Sequence, residues 1–80
     1  MAVIDDLVTA GFSRTQSDAI VGVDAGTATA NDLVTQGVWA NTADTIVAVN
    51  AGTATDDDLV RAGLSAPQVA AVDAAMAVTA

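Results

Sequence analysis

Asp-Leu-Val occurs at Asp6-Leu7-Val8, Asp32-Leu33-Val34 and Asp58-Leu59-Val60, a step of 26 residues each time. Gly11, Gly37 and Gly63 follow five residues after each of these Asp residues. Ala25-Gly26-Thr27-Ala28-Thr29 returns as Ala51-Gly52-Thr53-Ala54-Thr55. Three copies, 3–28, 29–54 and 55–80, account for nearly the whole 80-residue chain. Such a period sets the architecture before any other feature, because one short unit cannot bury its own apolar face and must pack on its neighbours. The chain is therefore expected to be one domain, 1–80.

Each copy reads as two short helices. Thr55-Asp56-Asp57-Asp58 supplies a Thr N-cap and acids in the first turn, where they complement the helix dipole. Leu59, Val60 and Ala62 then form an apolar face, and Gly63 suits the left-handed position that ends a helix. Thr29-Ala30-Asn31-Asp32 to Gly37 repeats the pattern, and Asp5 and Asp6 lead to Gly11 in the first copy. An apolar residue follows each glycine: Phe12, Val38 or Leu64. Ser13-Arg14-Thr15-Gln16 and Ser65-Ala66-Pro67-Gln68 match the Ser-x-x-Gln capping box, and Pro67 is tolerated because first-turn amides lack intrahelical partners. The middle copy carries Trp39 at the Ser position, so Asn41 with Asp44 is the expected substitute cap.

The second helix of each copy is expected to run to about Asp24, Asn50 and Ala77. Ala19, Ile20 and Val23, then Ile46, Val47 and Val49, then Val69, Val72 and Met76 recur at spacings that mark one buried face. The third copy drifts: Val21 and Val47 become Asp73, Asp24 and Asn50 become Met76, and Val78 stands where Gly26 and Gly52 end the earlier helices. That drift suits either a terminal capping repeat with no following neighbour or a C-terminal helix that runs on to the chain end. The fold class is all-α, with about six short helices from three tandem helix-turn-helix units. Either an open solenoid or a closed compact bundle satisfies the pattern.

The chemistry is narrow. The ten acidic residues are all Asp, the only bases are Arg14 and Arg61, and the net charge is −8. Nucleic acids and anionic membranes need a cationic face, so neither is an expected partner. A basic protein surface is compatible with this charge. No apolar run approaches the ~20 residues of a membrane span. Met1-Ala2-Val3-Ile4-Asp5-Asp6 lacks a basic start, so no signal peptide is expected. Without Cys, His or Lys, Ser13 and Ser65 have no activating partner and read as caps. Asp56-Asp57-Asp58 lacks the alternation of a calcium loop and reads as a helix start. The Ala-Gly-Thr-Ala-Thr segments have one glycine and no lysine, which suits a tight connection better than a phosphate loop. No enzyme activity, cofactor or metal is expected.

The candidate interface residues are Trp39, Val38, Phe12, Leu64, Arg14 and Arg61. Trp39 either anchors a partner, as interface aromatics do, or folds over a thin core. The arginines suit surface ion pairs or interface contacts equally well.

Leu7-Val8-Thr9-Ala10-Gly11-Phe12-Ser13, followed by Ala19-Ile20, resembles the start of a ubiquitin-associated domain. That resemblance implies a protein-interaction module with Phe12 and the Gly11 loop on its binding patch. Ala10 stands where that family carries Met, and the later copies replace the Phe by Val38 and Leu64. The short Leu-Val-x-x-Gly units joined by Ala-Gly-Thr-Ala-Thr also resemble small acidic accessory proteins of tailed-virus particles, of the capsid-decoration or head-fibre-base type. This second resemblance implies a non-enzymatic virion component made in the host cytoplasm. Its partner would be the major capsid protein or another virion protein, and it would form a homo-oligomer such as a trimer.

Overall fold

The computed structural model describes residues 3–77, and no strand occurs among them. Six α-helices occur among these residues: α1 (Val3–Ala10), α2 (Arg14–Ala25), α3 (Ala30–Thr35), α4 (Ala40–Ala51), α5 (Asp56–Arg61) and α6 (Ala66–Ala77). A short helix is followed each time by one of 12 residues. The last helix, α6, packs against both α1 and α2, which brings the end of the chain onto its beginning. The extents of 27 × 24 × 23 Å are those of a closed bundle, not an open solenoid.

Side chains 26 residues apart share the same burial and belong to one core. Leu7, Leu33 and Leu59 are wholly buried, and so are Ile20, Ile46 and Val72. Ser17, Ala43 and Val69 form a further buried set. Ser17 is accommodated because its hydroxyl donates to the Ser13 carbonyl at 2.8 Å. This shared core holds the bundle, since helices this short do not persist alone in water.

Local signals explain the helix ends. Ser13 Oγ accepts from the Gln16 amide at 3.1 Å, while Gln16 Oε1 accepts from the Ser13 amide at 2.9 Å. Ser65 and Gln68 make the same two contacts, at 3.4 and 2.9 Å. At the short helices, Asp32 and Asp58 each accept the amide of the preceding Thr, Thr29 or Thr55, at 2.9 Å. Gly26 ends α2 at φ 83°, a left-handed conformation that other residues adopt only with strain. The Val78 that stands at the corresponding place in the last copy lies outside the described residues.

Three expectations change. The substitute cap at Asn41 and Asp44 does not form: α4 starts at Ala40 with Trp39 in the N-cap position and no side-chain cap bond. Burial of Thr42, Ala43 and Ile46 sets this register, and tertiary packing overrides the local preference. Val60 does not share the apolar face of Leu59 and Ala62; it is 54 % exposed, as its counterparts Val8 and Val34 are also exposed. The third copy is not a terminal cap without a following neighbour, because α6, which carries Asp73, is packed on α1 and α2 as well as on α5.

Candidate functional site

The three turns that lead from a short helix into a long one converge on one shallow hollow of about 210 Å³. Its lining is built from corresponding positions of the three copies. Gly11, Gly37 and Gly63 supply backbone; Phe12, Val38 and Leu64 supply the apolar floor; Gln16, Thr42 and Gln68 supply polar side chains. Ala62 and Trp39 complete it, and no lining residue is charged.

Two of the polar trio bond one copy to the next, and the third lies against another copy. Gln16 Nε2 donates to the Gln36 carbonyl at 3.1 Å while its Oε1 caps its own helix. Thr42 Oγ1 donates to the Ala62 carbonyl at 2.8 Å in a buried setting. Gln68 lies over Gly11 so closely that a Cβ added there would meet its amide nitrogen at 3.1 Å. Any side chain at position 11 would press on this contact and would also need a φ of 120°.

Trp39 stands at the rim and is 76 % exposed. Its Cζ3 lies 3.9 Å from where a Gly63 Cβ would sit, so one edge of the indole rests beside the third turn. The rest of this large ring stays in solvent. An exposure this high leaves little of the expected role of covering the core.

The other candidate residues divide. Val38 and Phe12 are buried, Phe12 to 6 % exposure, and Leu64 is half-buried; all three form the floor beneath Trp39. Arg14 and Arg61 do not line the hollow. Arg14 approaches Asp5 at 3.9 Å and Arg61 approaches Asp58 at 3.8 Å, with both guanidinium groups well exposed. Pairs so exposed contribute little to stability.

Sequence reasoning did not single out Gln16, Thr42 and Gln68 as lining residues. Their shared place in the period was the available signal. It also did not find the contact between Asp73 and Asp56. Burial, then a hydrogen bond and repulsion from the Asp56 carboxyl group, push the Asp73 carboxyl up from 3.8 to about 6. The signal there was an acid at a position held by Val21 and Val47 in the other copies.

No cluster of three metal-ligating side chains occurs among the described residues, and none of their helices is long and apolar enough to cross a membrane. Comparison of the chain with protein-family models, curated proteins and solved structures finds no match.

Proposed function

We propose that this chain is a non-enzymatic docking protein that binds an assembled protein surface through the face bearing Trp39. The observation that carries this reading is the 76 % exposed indole beside an uncharged hollow, on a molecule of net charge −8. Trp39 occupies a position where Ser13 and Ser65 form capping bonds, so the indole replaces a useful cap. A lost cap costs about 1 kcal/mol. Exposed aromatic residues over a small apolar recess are the usual anchors of protein interfaces.

The surface we propose is that of a virus particle, with the chain as a decoration or minor capsid component. The three-turn arrangement of the face favours a site where several identical subunits meet, and the net charge of −8 suits a basic surface around that site. Co-sedimentation with empty capsid shells tests the proposal. Wild-type protein is expected in the pellet, and Trp39→Ser protein in the supernatant. Wild-type recovery no higher than that of an unrelated acidic protein would overturn it.

A further inference from the structure

We infer that the hollow at the three turns takes the side chain of an arginine on the partner protein. Its guanidinium lies flat on the Trp39 indole and its methylene stem on Phe12, Val38 and Leu64. This inference rests on the docking reading of that face and names the group that the face receives.

Charge sets the sign of what docks there. No residue lining the hollow is charged. Two bases lie beside it in sequence: Arg14 follows Ser13, and Arg61 precedes the lining residue Ala62. Each has a carboxylate at hand, Asp5 at 3.9 Å from Arg14 and Asp58 at 3.8 Å from Arg61. The sequence holds no further base to oppose Asp6, Asp18, Asp24 and Asp32, or Asp44, Asp56, Asp57 and Asp73, and these set the net charge of −8. Whichever way they point, their sum attracts a cation and repels an anion. The uncapped first turn of α4 favours an anion, but the net charge of −8 stands against one.

The hydrogen bonds of the lining suit the same guest. Gly11, Gly37 and Gly63, with Phe12, Val38 and Leu64 after them, donate their amides to carbonyls of the preceding short helix. Gln16 Nε2 and the Thr42 hydroxyl donate to the Gln36 and Ala62 carbonyls. That leaves Gln68 Nε2 and the indole N–H as the donors of the lining side chains. The oxygens keep capacity: Gln16 Oε1 and Gln68 Oε1 each accept one cap amide, and an amide oxygen accepts two bonds. A guanidinium carries five donors and no acceptor.

Size and the indole complete the match. At about 210 Å³ the hollow falls below the ~300–1,000 Å³ of pockets for drug-sized ligands, so it suits one side chain. Trp39 is the single Trp, and the one other aromatic ring in the sequence, Phe12, is buried. Cations are attracted to an indole face within ~6 Å, and a planar, weakly hydrated guanidinium stacks there better than a lysine ammonium.

The test is titration near neutral pH with a glycine pentapeptide carrying one central arginine and blocked ends, beside its lysine, citrulline and glutamate counterparts. The chain has one Trp and no Tyr, so emission reports on Trp39, and amide NMR shifts locate the binding. The expected result is a saturable emission change at millimolar arginine peptide, with shifts centred on Gly11, Gly37 and Gly63. The lysine peptide is expected to bind more weakly, and the neutral citrulline and the glutamate peptides at least about fivefold more weakly. Trp39→Ser keeps the net charge and is expected to stay helical while losing about fivefold in affinity by NMR; Trp39→Phe is expected to retain most of it. Four results would each overturn the inference: no saturable binding, a citrulline peptide as good as arginine, Trp39→Ser binding like the wild type, or shifts centred on the Asp18–Asp32 or Asp44–Asp58 grooves. If shells are bound through Trp39 but the arginine peptide is not, this inference alone falls. If the peptide binds at the three turns but shells do not, the docking to a particle falls instead.

Discussion

The turns at Ser13 and Trp39 lie 26 residues apart and have nearly the same backbone, φ −70° and ψ 164° against φ −60° and ψ 144°. Each opens a helix of 12 residues. At Ser13 the hydroxyl and Gln16 form a reciprocal cap; at Trp39 the side chain caps nothing and stands in solvent. The helix is no shorter for the loss. Its first turn is held instead by Thr42, whose 2.8 Å bond to the Ala62 carbonyl ties it to α5. The difference separates what the fold requires from what it tolerates. The buried core and inter-copy bonds set the bundle, and the rim is free to serve another purpose.

The largest effects are expected where the two copies are alike. Leu7→Ala and Leu33→Ala should each cost ~2–5 kcal/mol, enough to unfold much of so small a domain. Urea melts should show similar losses for the two. Phe12→Ala should lose ~3–5 kcal/mol and most of its helical circular dichroism, because Phe12 belongs to the core. Retained helicity with lost partner capture would instead favour the ubiquitin-associated-like reading of Phe12. A large gap between the two leucine variants would show that the copies do not share one core logic.

Thr42→Val comes next. It leaves the Ala62 carbonyl without its partner, at about 1–3 kcal/mol. Chemical denaturation should find this loss larger than that of Ser13→Ala, about 1 kcal/mol for the cap. The reverse order would mean that the cap, not the inter-copy bond, dominates this end of the bundle.

The third copy sharpens the comparison through pH. Asp73, with its carboxyl at about 6 against 3.8, binds its proton more tightly in the folded state than in the unfolded chain. Its contribution favours folding below about 3.8 and is lost as pH rises through about 6. The wild-type melting temperature should therefore fall between pH 4 and 7, and Asp73→Asn should flatten that slope. An unchanged slope in Asp73→Asn would assign the pH dependence to other carboxylates.

Much of the fold was legible because its signals are local. Gly26, Gly52, the Ser13–Gln16 box and the Asp32 and Asp58 first-turn acids mark helix ends whatever the tertiary structure. What failed was non-local. Asn41 and Asp44 offer an acceptable cap by sequence, but packing at Thr42 and Ile46 starts α4 earlier. Val60 has the right chemistry for the core, yet two-turn helices bury only one narrow stripe, which Leu59 occupies. The hollow was half visible: Phe12, Val38, Trp39 and Leu64 were marked by their place after each glycine. Gln16 and Gln68 were read only as caps, because their reach to another copy depends on the bundle closing. The period alone allowed closure without requiring it.

The most direct test of this account is the thermal melt of Trp39→Ser beside the wild type, at a concentration where both are monomeric. The account predicts equal or higher stability for the variant, by up to about 1 kcal/mol, because a capping serine replaces an exposed indole. A melting temperature lower by several degrees would contradict it, and would make Trp39 part of the fold instead of a residue held out for a partner.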